Sequence, residues 1–195
     1  MAVVGSLNKT SVTRVVVNHV ASVFMVNGCQ VDVLDLLAEP LELYNSDSAH
    51  ATAGFLALQA RVQQADAYVL GTPDYHGGIS SAMKNFLDHF WTEFTGKLFA
   101  TIVASHEKGL TVTDQLRTVA RQCYAWSLPY GVSFVEGEDV RDSQIVGDAF
   151  RHRLTMFVRD VQIYGQLLAQ QRHADLSGKD AGFMARLRKQ EPTDT

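Results

Sequence analysis

The sequence predicts an α/β fold in which a single parallel β-sheet is covered on both faces by helices. Its 195 residues correspond to about one domain. Hydrophobic residues make up 46% of the chain and charged residues 19%, a balance typical of a protein with a buried core rather than of a disordered one. Five apolar segments of strand length alternate with five segments of helical periodicity, the pattern of parallel strands joined by right-handed helical crossovers.

The N-terminal part of the chain predicts two strands around one helix. Residues 1–4 form a short apolar run, and the polar stretch SLNKTSVT that follows supplies turn and helix-capping residues. Apolar residues then recur at steps of three and four, so we expect a helix over residues 11–26, with Gly28 just beyond its end. Residues 30–36 alternate apolar with polar side chains and predict the second strand, followed by a loop over residues 38–52.

The remaining elements continue the same alternation. Each predicted helix carries an apolar stripe on one face, and each predicted strand is a short apolar run. The strands cover residues 67–71, 98–104 and 130–135, and the helices cover residues 53–64, a segment capped by Ser80, residues 110–126 and a last helix from about residue 144. Residues 1–173 are therefore expected to form the domain, and residues 174–195 a C-terminal tail that is flexible or docks on a neighbouring subunit.

Charge and hydropathy exclude several classes of function. Seventeen Lys and Arg against 21 Asp and Glu give a formal net charge of -4, without the basic excess that binding a nucleic acid requires. The longest uncharged run, residues 15–31, contains too many polar side chains to cross a membrane. The N-terminus lacks a secretory signal, which makes a cytoplasmic location the default expectation. Cys29 and Cys123 form no CxxC pair, so we expect free thiols and no metal site.

Three polar loops follow predicted strands at their carboxyl ends, where an open parallel sheet binds its ligands. They cover residues 6–13, 72–78 and 105–109. The first contains four hydroxyl residues and leads into a helix N-terminus, so its backbone N–H groups and the helix dipole favour an anion such as phosphate. The alternative is that Ser11 or Thr10 only caps the helix. Neither the P-loop pattern nor the GxGxxG dinucleotide fingerprint occurs in the sequence.

The second loop places an aromatic ring and an imidazole beside glycines. Tyr75 and His76 are followed by Gly77 and Gly78, which allow a planar ligand to lie close to the backbone. The alternatives are that Tyr75 is a core or interface aromatic and that His76 is an ordinary exposed residue.

These two loops resemble those of a known family. GSLNKTSVT resembles the GSLRxxSxN phosphate loop of the NADPH-dependent FMN reductases, and TPDYHGGISSAMKNFLDHF resembles their TPEYNGSxPGxLKNxxDW segment. The resemblance implies a flavodoxin-like three-layer sandwich with strand order 2-1-3-4-5 and FMN as the cofactor. It also implies NADPH or NADH as the donor, a flavin, quinone, azo dye or metal oxyanion as the acceptor, and a homodimer or homotetramer.

Site residues follow from the resemblance by position. It assigns the FMN phosphate to Ser6, Asn8, Ser11 and Thr13. It places Pro73, Asp74, Tyr75, His76 and Gly77 along the isoalloxazine ring, and Ser105, His106 and Gly109 on the other side of the flavin. Three residues depart from the family pattern: Asn8 stands where the pattern has Arg, Thr13 where it often has Asn, and His76 where it commonly has Asn. Loss of the Arg removes a charge-assisted hydrogen bond worth about 1.5 to 3 kcal/mol, for which Lys9 or Arg14 is a candidate substitute.

The expected chemistry belongs to the flavin, so no catalytic side chain is predicted. His76 is a candidate proton donor because imidazole titrates near neutral pH. The leading hypothesis is an FMN-dependent NAD(P)H oxidoreductase, and the alternative is a flavodoxin-like electron carrier, against which the mild net charge of -4 weighs. A family member that binds no flavin is a third possibility. Aromatic residues after Ser80 form either an interface for a second subunit or part of the core, and they are Phe86, Phe90, Trp91 and Phe94.

Overall fold

A parallel sheet forms the centre of the protein. The computed structural model describes residues 1–47, 53–179, 182 and 186–187. The sheet strands are β1 (Ala2–Val4), β2 (Val33–Asp35), β3 (Ala67–Pro73), β4 (Leu98–Ala104), β5 (Trp126–Ser127) and β6 (Val132–Phe134). They lie in the order β2-β1-β3-β4-β5, with β6 also paired to β4, and every pairing among them is parallel. The predicted strand order is therefore confirmed.

Helices cover both faces of this sheet, as predicted. They are α1 (Val12–Val26), α2 (Ala53–Gln64), α3 (Ser81–Asp88), α4 (Leu110–Gln122) and α5 (Asp148–Ser177). Apolar side chains of α1 and α5 pack on one face against β-strand residues such as Val4 and Val69, whereas those of α2, α3 and α4 pack on the other against Val3 and Leu70. Successive strand residues alternate between the two cores because side chains of a strand point to opposite faces of the sheet.

The fifth strand differs from the prediction, because it is split into β5 and β6. Both segments pair in parallel with β4, and residues 128–131 interrupt them. Pro129 lies in the interruption and has no backbone N–H to donate to a neighbouring strand. The helix predicted over residues 110–126 ends at Gln122, since Tyr124 has a positive φ of 54° and Trp126 already pairs with Leu98.

The start and end of the last helix also differ from the prediction. Residues after β6 form a short antiparallel hairpin of β7 (Val140–Arg141) and β8 (Gln144–Ile145), so α5 begins at Asp148 rather than near residue 144. Two consecutive residues with positive φ, Asp142 and Ser143, close the hairpin, which apolar periodicity does not signal. At its other end α5 continues past residue 173 to Ser177. Most of the predicted tail, and residues 48–52 of the predicted loop, lie outside the described residues.

The aromatic segment after Ser80 belongs mainly to the core. Phe86, Phe90 and Phe94 are buried and contact one another edge-on or tilted, with ring centroids 5.5 to 6.1 Å apart. Core packing is thus confirmed for these three rings, and only Trp91, which is 55% exposed, remains available to a partner.

Two further features concern thiols and membranes. Cys29 and Cys123 are free, and burial raises the pKa of the Cys123 thiol to about 11. Among the described helices, none combines the length and the apolar character that crossing a bilayer requires.

Candidate functional site

The three predicted loops meet at the carboxyl edge of the sheet. The loop after β1 is joined to β3 by the Gly5 N–H, which donates to the Gly71 carbonyl at 2.7 Å. It is joined to the start of α3 by the Ser80 hydroxyl, which donates to the Gly5 carbonyl at 2.5 Å. The loop after β4 is joined to the loop after β3 by a hydrogen bond from Ser105 Oγ to Asp74 at 2.9 Å. Residues distant in sequence therefore form one continuous edge.

The first loop is ordered by its own polar side chains. Ser11 caps α1, because its Oγ accepts from the Arg14 N–H at 3.3 Å. The Asn8 Oδ1 accepts from both the N–H and the hydroxyl of Thr10, at 3.0 and 3.1 Å. Ser6 is buried, and its Oγ accepts from the Asn8 N–H at 3.4 Å. The capping role considered for Ser11 is therefore present, and Asn8 organises the loop rather than supplying a charge.

Arg14, in the first turn of α1, holds the first loop in place, a role that the sequence analysis did not predict. Its Nε donates to Asp35 at 2.5 Å, and Nη2 donates to the other Asp35 oxygen at 3.3 Å. Nη2 also donates to the Ser6 carbonyl at 3.1 Å, and Nη1 donates to the carbonyls of Asn8 and Lys9 at 2.7 and 3.2 Å. These bonds occupy all five N–H donors that a guanidinium possesses. Arg14 is therefore a structural brace for the loop and does not substitute for the missing family Arg as a free cation.

The brace gives the loop the polarity that an anion requires. Arg14 gathers three loop carbonyl oxygens on its own side, which reduces their repulsion of a negative ligand. The first backbone N–H groups of α1 have no acceptors within the helix, and the positive end of its dipole lies at the same place. A phosphate group such as that of FMN fits this donor set.

Close packing beneath the loop is possible because two residues lack a side chain. A Cβ added to Gly71 would lie 2.2 Å from Val17 Cγ2, and one added to Gly5 would lie 2.9 Å from the Gly71 carbonyl oxygen. Thr13 is 1% exposed, and its methyl group packs toward the same Gly71 position. Thr13 thus lies in the first turn of α1 and packs beneath the loop, whereas Ser6 and Asn8 lie within the loop and Ser11 ends it as the helix cap.

Asp74 holds the second loop. Its Oδ1 accepts from the Gly77 N–H at 2.8 Å, while its Oδ2 accepts the Ser105 hydroxyl. Asp74 is therefore a loop-organising acceptor. Pro73 ends β3 immediately before it and is buried.

The tip of the second loop is a tight turn. Tyr75 and Gly78 exchange two backbone hydrogen bonds of 3.0 Å. Between them His76 and Gly77 have φ values of 58° and 75°, as in a type I′ turn. Tyr75 is 53% exposed and His76 is exposed, so Tyr75 is not a core aromatic and both rings are accessible to a ligand.

The third loop completes the edge. Ser105 is buried and also accepts from the Glu107 N–H at 3.1 Å, whereas His106 is exposed. Gly109 has a φ of 60° and begins α4 as its N-cap residue. A Cβ there would lie 2.9 Å from Val103 Cγ1, so this position requires glycine.

Electrostatics favour an intact first loop at neutral pH. Burial raises the pKa of Asp35, but hydrogen bonds from Arg14 and the Leu37 N–H outweigh it, and the pKa lies below its ordinary value. Asp35 is therefore ionised and paired with Arg14 under ordinary conditions.

Two large clefts lie elsewhere in the described part of the chain. One, of about 780 Å³, is at the amino ends of β1 and β3 and is bordered by Arg61, whose charge is paired with Asp32 and Glu39. The other, of about 1130 Å³, lies between α1 and α5. Neither includes a residue of the three loops, and the carboxyl edge, where such sheets bind ligands, remains the candidate site.

Comparison with known proteins gives concordant matches. The family model described as NADPH-dependent FMN reductase matches residues 1–139. An NADPH azoreductase of Bacillus sp. (strain OY1-2) is 31% identical over 149 residues, which cover 74% of this chain and 80% of the relative.

Solved structures share the fold. The flavoenzyme NAD(P)H:(acceptor) oxidoreductase FerB from Paracoccus denitrificans matches with a TM-score of 0.70 and 20% identity, over 85% of this chain and 95% of its own. A flavodoxin of Streptococcus pneumonia TIGR4 matches with a TM-score of 0.58 and 16% identity, over 84% and 97% of the two chains. The flavodoxin-like fold predicted from the sequence is therefore confirmed.

Proposed function

This chain belongs to the NADPH-dependent FMN reductase family, and on that premise we propose that its three carboxyl-edge loops hold FMN and that it reduces a small aromatic acceptor of the azo or quinone type. As a member of this family, the protein is an FMN-dependent NAD(P)H oxidoreductase.

The main support for placing the cofactor here is the first loop, which Arg14 holds in place. Arg14 turns three loop carbonyls toward itself and leaves for the phosphate the first N–H groups of α1 other than its own, which donates to Ser11 Oγ. In this proposal Ser6, Asn8 and Ser11 border the phosphate, and Thr13 supports the loop from below. The neutral Asn8 leaves the anion to backbone donors and the helix dipole.

The isoalloxazine ring is proposed to lie against the other two loops. Pro73, Asp74, Tyr75, His76 and Gly77 would border it on one side and Ser105, His106 and Gly109 on the other. Bound FMN supplies hydride transfer, while the protein contributes orientation and access. Because Tyr75 and His76 are exposed, they would contact a nicotinamide or an acceptor, and the His76 imidazole is a candidate proton donor to the reduced acceptor.

An azo compound is the first acceptor to test, because the Bacillus relative is named an NADPH azoreductase. The same relative makes NADPH the first donor to test. A quinone is the second acceptor, since a flat aromatic molecule of that kind would also meet the exposed Tyr75 ring.

A homodimer and a cytoplasmic location complete the proposal. The side chains of Trp91 and Trp126 are about half exposed, and apolar rings on a surface favour contact with another copy of the chain. Free Cys29 and Cys123 suit a reducing compartment. Sedimentation analysis of the wild type and of Trp91→Ser tests the proposed dimer. If the wild-type protein also sediments as a monomer, the dimer is contradicted.

The test of function is an anaerobic titration. FMN is added to the purified protein, followed by NADPH or NADH, and the flavin absorption is recorded. We expect saturable binding, bleaching by NADPH, and recovery of the oxidised spectrum when methyl red or a benzoquinone is added. Binding without bleaching by either donor would favour an electron carrier, and no binding at micromolar FMN would contradict the proposal.

The phosphate site is tested by the double substitution Asn8→Ala with Ser11→Ala. We expect FMN affinity to fall about tenfold or more, because both loop order and a helix cap are lost. The matched control is Asn18→Ala with Ser22→Ala, which removes exposed residues of the same types from α1. Equal FMN affinity in the two double variants would contradict the assignment.

A further inference from the structure

The backbone of the second loop is almost fully hydrogen-bonded. From Asp74 to Ser80 the N–H groups donate to acceptors within the protein at every residue except one. Asp74 donates to Ala104, Tyr75 and Gly78 donate to each other, and Gly77 donates to the Asp74 side chain. Ile79 donates to Gln115 Oε1 at 3.0 Å, and Ser80 donates to Thr72 Oγ1 at 3.0 Å. Among the described residues, no acceptor faces the His76 N–H.

Gln115 holds the loop from outside it. It lies on α4, is partly buried, and its Nε2 donates to the Gly77 carbonyl at 3.1 Å while its Oε1 accepts from the Ile79 N–H. These bonds span 38 and 36 residues of sequence. An amide can donate and accept at the same time, whereas a carboxylate only accepts and an ammonium only donates.

The two ends of the turn are therefore fixed from different elements. Asp74 fixes the N–H of Gly77, and Gln115 fixes the Gly77 carbonyl and the N–H of Ile79, two residues further on. Gly77 has a φ of 75° and no side chain that would limit its rotation. Without Gln115, the Gly77 carbonyl and the Ile79 N–H would lose their side-chain partner, and the turn that orients the neighbouring His76 N–H would be held only by Asp74 and by its own backbone bonds.

We propose that Gln115 is a positioning residue for the flavin ring, because it holds the turn so that the unpaired His76 N–H is presented to the ring. This inference rests on the proposed function. The His76 N–H would donate to an electronegative ring atom. The strength of that hydrogen bond would depend on the charge that the ring carries. Gln115 would thus influence the relative affinity for oxidised and reduced FMN, although it lies on a helix beyond the three loops.

The test compares Gln115→Met with Gln122→Met. Both remove an amide from α4 and keep a similar volume, but Gln122 is exposed near the end of the helix, away from the loops. For each variant we would measure FMN dissociation constants in the oxidised and reduced states, the two-electron midpoint potential, and hydrogen exchange of the Gly77, His76 and Ile79 amides.

For Gln115→Met we expect oxidised FMN to bind about three- to tenfold more weakly, from the loss of one or two net hydrogen bonds. We also expect the affinity ratio for the two oxidation states to change about tenfold, equivalent to about 30 mV in a two-electron potential. Exchange of the Ile79 amide should accelerate, since its acceptor is gone. Gln122→Met should behave as the wild type.

A potential and an affinity ratio equal to those of Gln122→Met would overturn the proposal, even if Ile79 exchange accelerates. Should Gln115→Met fail to fold, Gln115→Glu keeps the acceptor for Ile79 and loses the donor to Gly77, and its potential must still shift relative to wild type. Failure of the proposed function is distinct, because the wild-type protein itself would then bind no FMN.

Discussion

At the residue scale, Arg14 determines the shape of the first loop more than any residue that the motif names. Ser6 and Asn8 both contribute carbonyls to its guanidinium, and Asp35 anchors it at the end of β2. The family pattern marks an Arg at the position of Asn8, yet here the guanidinium that contacts the loop comes from α1. A charged residue next to a phosphate motif can therefore act on the loop instead of on the ligand.

Replacement of Arg14 tests this role. We expect Arg14→Met to weaken FMN binding about tenfold or more, because the loop loses charge-assisted hydrogen bonds worth about 1.5 to 3 kcal/mol each. Isothermal titration with FMN measures the effect. Arg159→Met, which removes an exposed arginine from α5, is the control and should leave the affinity unchanged. Equal affinities for the two variants would contradict the role given to Arg14.

The Arg14–Asp35 pair also predicts a pH dependence. Because the pKa of Asp35 is lowered in the folded protein, its contribution to stability is present above its unfolded value of about 3.9 and is lost as the pH falls through the folded value. Wild type should therefore exceed Asp35→Asn in free energy of unfolding at pH 7, and the difference should shrink below about pH 4. Urea unfolding between pH 3 and pH 7 measures it.

The control for this pH dependence is Asp114→Asn, because the Asp114 side chain is 70% exposed and pairs with Arg117 three residues away. Its difference from wild type should be small at every pH, as is usual for surface ion pairs. A difference between wild type and Asp35→Asn that stays constant from pH 7 to pH 3 would mean that the carboxylate form is not the stabilising one.

At the scale of elements, the approach of α1 to β3 is set by a missing side chain. Val17 Cγ2 occupies the space where a Gly71 Cβ would lie, and the N-terminus of α1 carries the phosphate loop. The packing of this helix on the sheet thus determines where the loop stands relative to the second loop.

Gly71→Ala should therefore destabilise the protein by about 1 to 3 kcal/mol or more, since overpacking forces the helix and the strand apart. Gly54→Ala is the matched control: its added methyl meets open space in α2, and it should be neutral or stabilise by up to about 1 kcal/mol. Chemical denaturation of both variants measures their free energies of unfolding. An unchanged stability for Gly71→Ala would show that α1 moves away without cost.

At the scale of the whole molecule, the three loops follow β1, β3 and β4, which are neighbours in the sheet, and so link its central strands. A ligand that contacts all three stabilises the native state by mass action, since the unfolded chain presents no such site. At FMN concentrations 100 times the dissociation constant, the gain is about 2.7 kcal/mol.

A gain of that size should raise the melting temperature by about 5 to 11 °C for a domain of this length. Differential scanning calorimetry with and without FMN measures the shift. Riboflavin, which has the ring without the phosphate, should give a clearly smaller shift at the same concentration, because the first loop then has no anion to bind. Equal shifts with both ligands would place the binding energy in the ring alone.

The amino-acid sequence was sufficient to predict the main helices and strands, the caps of α1 and α3, and the three loops of the candidate site. These features follow from local patterns: apolar periodicity marks α1 and α5, and Ser11 and Ser80 cap their helices as expected. The break in the fifth strand, the pairing of Arg14 with Asp35 and the partners of Gln115 depend on how the folded chain brings distant segments together. Asp35 lies 21 residues from Arg14, and the partners of Gln115 lie 36 and 38 residues from it, and hydrogen bonds between such distant segments leave no periodic mark in the chain.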